Sequence, residues 1–139
     1  MQIVKQLLIT AVLLGPLVGQ AGEIWGQWKT IDDETGKAKS IVELYEKDGK
    51  LYGKVIDLLL KPDDTLCDKC TGKRHNQPIV GMDFLTHMEK DGEAYSGGEI
   101  LDPANGKTYR CKLWLADGVL KVRGYIGFFF RTQEWHRVQ

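Results

Sequence analysis

The chain has 139 residues, 42% of them hydrophobic, and its 19 Lys and Arg balance 19 Asp and Glu at pH 7. So even a balance gives no electrostatic reason to expect nucleic acid or an anionic membrane as partner. The length allows about one domain around a single core, and no repeat, low-complexity tract or linker divides it.

Met1 to Lys5 carries one positive charge, Leu7 to Gly19 is apolar apart from Thr10, and Gly19-Gln20-Ala21 is a small-x-small triplet. That is the three-part grammar of a secretory signal peptide, with cleavage expected after Ala21. The alternative is an uncleaved anchor, but a spanning helix needs about 20 apolar residues and this run is shorter. No cysteine stands at the cut, so a lipoprotein is not expected. We therefore read residues 1–21 as signal peptide and 22–139 as one domain in the periplasm or outside the cell. The mature part holds no second long apolar run, and no transmembrane segment is expected in it.

Beyond the leader, period-two alternation and turn residues dominate. Strand one is predicted over Ile24 to Ile31, with Ile24, Gly26, Trp28 and Thr30 on one face. Strand two is predicted over Ser40 to Glu46, with Val42 and Leu44 together. Lys47-Asp48-Gly49-Lys50 is a hairpin turn, since Asp-Gly accepts the positive φ of a tight turn. Strand three is predicted over Leu51 to Leu59, where Gly53 marks a bulge, a bend or a close backbone approach. Lys61 to Gln77 then breaks the pattern. It is polar, contains Pro62, and is long enough to expect a functional or pinned loop.

Strand four is predicted over Ile79 to Met88, with a turn at Glu89 to Gly92, and strand five over Ala94 to Leu101. Asp102-Pro103-Ala104-Asn105-Gly106 is the strongest turn signal, because Pro presets one φ and Asn-Gly supplies left-handed positions. Strand six is predicted over Lys107 to Leu115, with Tyr109, Cys111, Leu113 and Leu115 on one face. Strand seven spans Val119 to Ile126. Strand eight spans Phe130 to Val138, with Arg131, Gln133 and Trp135 sharing a face. The expected fold is all-β: a single up-and-down antiparallel eight-stranded barrel, with a two-sheet sandwich as the alternative. Closure removes edge strands that invite aggregation. A barrel of eight strands is either filled by side chains or holds one small ligand.

Several runs resemble one bacterial family, domain of unknown function 2147: G-Q-W-K-T-I-D-D-E-T-G-K-A-K-S-I-V-E-L-Y, C-D-K-C, Q-P-I-V-G-M, G-G-E-I-L-D-P-A-N-G-K-T-Y-R-C, L-K-V-R-G-Y-I-G and R-T-Q-E-W-H-R-V. The resemblance spans Gly22 to Val138 and implies a secreted or periplasmic protein of a Gram-negative bacterium. One departure is visible: where a small or glycine-containing turn is expected after Ile126-Gly127, this chain has Phe128-Phe129-Phe130. Gly26-Gln27-Trp28 with a late arginine also resembles the lipocalin and calycin signature. That likeness implies that Trp28 packs under Arg131, with Arg123 as competitor, to close one barrel end through cation–π contact. It further implies a barrel that binds a small molecule.

Cys67-Asp68-Lys69-Cys70 is the sharpest local feature. In an oxidising compartment the plain reading is a structural disulfide, either Cys67–Cys70 or one of them with Cys111. A zinc site from Cys67, Cys70, His75 and Cys111 is the second reading. A thioredoxin-like pair lacks the βαβ context such a pair needs, and covalent haem is excluded because Thr71, not His, follows Cys70. No nucleophile–base pair is found, so no catalytic residue is assigned, a non-enzyme is expected, and no cofactor is expected. The expected ligand pocket is aromatic, built from Trp28, Tyr109, Arg131 and Trp135. The leading functional reading is thus a lipocalin-like barrel binding a small apolar or amphiphilic ligand. The alternative is a filled barrel that meets another envelope protein through Lys61 to Gln77 and an exposed Gly127 to Phe130 turn. A thiol-redox or zinc role through Cys67 and Cys70 is the third.

Overall fold

The structure, a computed structural model, describes residues 23–139; the expected signal peptide and its cut after Ala21 lie outside the described residues. Eight strands follow in order: β1 Gly26–Ile31, β2 Ala38–Lys47, β3 Lys50–Leu58, β4 Asp83–Asp91, β5 Ala94–Asp102, β6 Lys107–Ala116, β7 Val119–Ile126 and β8 Phe129–Arg137. Each pairs antiparallel with the next, and β8 returns to β1, so the sheet closes as a barrel rather than splitting into a sandwich. Among the described residues, no helix is long and apolar enough to cross a membrane.

Period-two alternation explains which side chains go inside. Val42 and Leu44 on β2, Cys111 and Leu113 on β6, and Leu120 and Val122 on β7 are all buried, while the residues between them are not. Gly53 on β3 is the close approach expected of it. A Cβ there would lie 3.0 Å from the Leu85 Cβ and 3.1 Å from a Leu44 methyl. β4 breaks the alternation. His87 has φ +59° and marks a bulge that turns both Leu85 and Met88 inward despite their odd spacing.

β4 begins at Asp83, four residues later than the predicted start at Ile79. Ile79 is apolar but serves the preceding connection: its N–H donates to the Thr65 carbonyl (3.1 Å), and Pro78 bridges to Leu66. The last hairpin is also tighter than its three phenylalanines suggest. Only Gly127 and Phe128 make the turn, and Phe129 and Phe130 already pair with Ile126 and Tyr125.

The topology gives the barrel two unlike ends. The β2–β3, β4–β5 and β6–β7 turns lie at one end, with the segment Glu23–Trp25 folded across it. Trp28, Leu44, Leu51, Met88, Leu113 and Leu120 fill this half. Burying each such side chain contributes roughly 1.5–3 kcal/mol. The other end carries the β1–β2, β3–β4, β5–β6 and β7–β8 connections and is open. The seam is short: β1 and β8 pair only at Trp28↔Arg137 and Lys29↔His136.

Candidate ligand site at the barrel mouth

A cavity of about 850 Å³ opens at the end opposite Trp28 and runs inward to the barrel's midpoint. Its deep walls are Val42, Val55, Phe84, Leu101, Val122 and Trp135, all buried. The Trp135 and Phe84 rings meet with centroids 5.8 Å apart and form an aromatic floor. Pockets of this size suit one small-molecule ligand, with apolar walls for affinity and a few polar groups for orientation.

Those polar groups sit along the unpaired part of the β1–β8 seam. The Thr30 and Ser40 hydroxyls are buried and hydrogen-bonded to each other at 2.7 Å. Toward the mouth, the Asp33 carboxylate accepts from Gln133 Nε2 (2.9 Å) and pairs with Arg131 Nη2 (3.0 Å). Gln133 in turn accepts from Trp135 Nε1 at 3.3 Å. Asp33, from the β1–β2 turn, therefore reaches across to β8 where the backbones of β1 and β8 part, and hydroxyl and amide groups stand beside the apolar floor.

The β3–β4 connection roofs part of the mouth, and Leu60, Leu66, Asp68 and Asn76 from it line the cavity. Cys67 and Cys70 are disulfide-bonded and buried. The Cys67 carbonyl accepts from Asn76 N–H (2.9 Å), the His75 ring nitrogen Nδ1 lies 3.0 Å from the Cys70 carbonyl, and Arg74 Nη2 donates to the Asp83 carbonyl (2.9 Å). Gly106, in the β5–β6 turn, meets this loop from the side. Its φ is +75°, and a Cβ there would lie 1.8 Å from the Lys69 carbonyl oxygen, so only glycine fits. The loop is thus pinned twice, by its own disulfide and by the neighbouring turn.

The predicted residues fall into three groups. Tyr109, Arg131 and Trp135 line the cavity. Trp28 does not: it lies in the closed half, fully buried, with its Nε1 donating to the Ile24 carbonyl at 2.8 Å. The arginine over its ring is Arg137, at 4.2 Å, and not Arg131. Arg137 Nη1 also donates to the Trp25 carbonyl (2.5 Å) and Nη2 to the Glu23 carbonyl, which ties the plug down. Arg131 is on the same inward face but six residues earlier, roughly 20 Å along the strand, and it stands at the mouth. Arg123 points outward and stacks on Phe130 (4.1 Å) and Trp114 (4.9 Å).

The cysteines do not form a metal site. The Cys67 and Cys70 sulfurs are spent on each other, and Cys111 is a free, buried thiol on β6. Burial pushes that thiol up to about 12. Among the described residues no group of three His, Cys, Asp or Glu is placed to hold a metal, so the grouping of Cys67, Cys70, His75 and Cys111 is corrected. Sequence reasoning missed Phe84, Thr30, Ser40 and Asp33 as parts of the mouth. Arg137 was within reach, since the alternation through Arg131, Gln133 and Trp135 continues to it.

A closed, up-and-down, eight-stranded barrel with a Trp–Arg plug at one end and an apolar mouth at the other is a lipocalin-like fold. The chain belongs to the family described as uncharacterized protein conserved in bacteria (DUF2147), whose profile matches residues 26–137. Among solved structures it is similar to protein HP1028 from Helicobacter pylori, described as belonging to the lipocalin family. The two share 24% identity at a TM-score of 0.74, over 84% of each chain. At that identity the likeness shows the fold. No curated protein matches the chain.

Proposed function

We propose that this protein binds one small apolar or amphiphilic molecule in its mouth cavity and works as a binding protein, not an enzyme, in the periplasm or outside the cell. The observation that carries the reading is the cavity of about 850 Å³ with a Trp135–Phe84 floor and the Thr30–Ser40 hydroxyl pair beside it. An amphiphile suits that pairing, with its chain on the floor and its polar end toward the seam and mouth. The Cys67–Cys70 bridge and the leader-like residues 1–21 support the compartment, because such bonds persist in oxidising surroundings. The filled-barrel alternative describes the closed half only.

Native mass spectrometry of protein taken from the periplasm, followed by the same sample denatured, tests the reading. The expected result is a native mass above the denatured one by a single organic molecule. A bare native mass, together with no saturable binding of a fluorescent fatty-acid probe, would sink it.

A further inference from the structure

The β7–β8 hairpin carries an apolar surface of which the cavity uses only Ile126. Phe128 at its tip is fully exposed, Phe129 is 78% exposed, Phe130 57% and Ile126 51%. Large apolar side chains grouped on a convex tip mark a contact surface. The tip is also on the mouth side of the barrel, and Ile126 itself lines the cavity.

What lies behind the tip decides what it contacts. Cross-strand pairing sets side chains in rows. Ile126↔Phe129 comes first, on the cavity-facing side at the very tip; on the outer side follow Arg110↔Tyr125↔Phe130 and, two residues further back, Lys112↔Arg123↔Thr132. The last row is set back from the first by ~10 Å, at about 3.3 Å per residue. Outward positions of β6, β7 and β8 hold the cations Arg110, Lys112, Lys121 and Arg123 against one carboxylate, Glu134, which is paired with Lys121. Glu99 of β5 stands opposite Arg110. The chain's overall neutrality hides this separation. Acidic residues gather instead in the β1–β2 turn at the mouth, as Asp32, Asp33 and Glu34.

We infer that the β7–β8 hairpin docks on an anionic lipid bilayer: Ile126, Phe128 and Phe129 enter the headgroup–acyl boundary, and Arg110, Lys112 and Arg123 meet the lipid phosphates. The order is that of a bilayer interface: apolar side chains first, then aromatic rings with Arg110 beside them, then Lys112 and Arg123 at headgroup height. The spacing matches the roughly 5–10 Å to which interfacial segments bury their apolar face. A two-residue tip is too narrow for a second copy of the chain, since a stable protein interface needs about 800 Å² per partner. Docking does not depend on the cavity holding a ligand.

Vesicle flotation tests it, with the mature protein and phosphatidylcholine–phosphatidylglycerol vesicles against pure phosphatidylcholine. The wild type floats with the anionic vesicles and less with the neutral ones. Phe128→Ser with Phe129→Ser lowers the bound fraction by about tenfold. This double variant keeps the barrel fold by near-UV circular dichroism, because Phe128 touches little else. Arg110→Gln with Lys112→Gln weakens binding to anionic vesicles alone. In Phe128→Trp, brominated lipid quenches emission that it leaves untouched in the wild type. The inference is overturned if the wild type does not float, if the serine variant floats equally well, or if the tip instead holds together a solution dimer that the serine variant dissociates. A soluble fatty-acid probe reads the cavity separately, so failure of one proposal is distinguishable from failure of the other.

Discussion

The guanidinium of Arg137 lies 4.2 Å from the centre of the Trp28 ring, and the two residues are register partners across the β1–β8 seam. One contact therefore closes the sheet, covers the buried indole and anchors the Glu23–Trp25 plug. Gly26 completes the arrangement. Its φ is +105°, and a Cβ there would lie 3.3 Å from Arg137 Nη1.

Arg137→Ala removes a cation–π contact and two hydrogen bonds to carbonyls, and a loss of about 2–3 kcal/mol is expected. Arg131→Ala breaks an exposed pair with Asp33 and costs less than about 1 kcal/mol. Urea denaturation of the two variants checks the assignment. Equal losses, or a larger one for Arg131→Ala, would show that the plug is not where the stability lies.

Gly124 lines the cavity and has an ordinary backbone conformation, and a Cβ there meets only the Tyr109 Cβ, at 3.9 Å. A leucine at this position fills part of the cavity without backbone strain. Gly124→Leu is expected to weaken fluorescent fatty-acid binding by about tenfold while the melting temperature holds, since volume inside a preformed pocket is what such a ligand uses. Undiminished probe affinity would place the ligand elsewhere.

The Cys111 thiol is buried and its ionisation is pushed up to about 12, so almost no thiolate exists at pH 8. Native protein is expected to resist iodoacetamide at that pH and to take up one equivalent once unfolded in guanidinium without reductant. Mass spectrometry of the alkylated protein reads both states. Rapid labelling of the native form would mean that β6 opens readily.

The Cys67–Cys70 bridge joins residues three apart in sequence. So small a loop stabilises through chain entropy by about 2 kcal/mol at most. Its main effect is local. Reduction, or Cys67→Ser with Cys70→Ser, is expected to speed tryptic cleavage at Lys69, Lys73 and Arg74 while the barrel survives. Unchanged cleavage would show that the Gly106 contact pins the loop alone.

The Thr35 N–H (2.8 Å) and hydroxyl (2.9 Å) both donate to Asp32 and hold its carboxyl below the ordinary 3.8. A depressed carboxyl contributes stability that is complete above its unfolded value and lost as pH falls through the folded one. The β1–β2 turn at the mouth is thus expected to loosen below pH 3.8, and the protection of the Thr35 and Gly36 amides, taken relative to their intrinsic exchange rates, to fall. Asp32→Asn should abolish that pH dependence. Equal protection of these amides at pH 3 and pH 6 would refute the account.

Alternation and turn chemistry are local, which is why eight strands and their hairpins are legible in the sequence, whereas the choice of barrel over sandwich rests on the pairing of β8 with β1. Asp48-Gly49, Asn105-Gly106 and Asp117-Gly118 announce their turns wherever they occur, and Val42 with Leu44 must face inward together. Three things were decided only in the folded chain. The His87 bulge shifts β4 by one residue and cannot be read from β4 alone. Cys111 is carried on a strand away from the mouth loop, which leaves Cys67 and Cys70 to bond each other. The partner of Trp28 is Arg137 because the register of the last strand against the first is the sum of every stagger around the barrel, a quantity that no single segment of sequence contains.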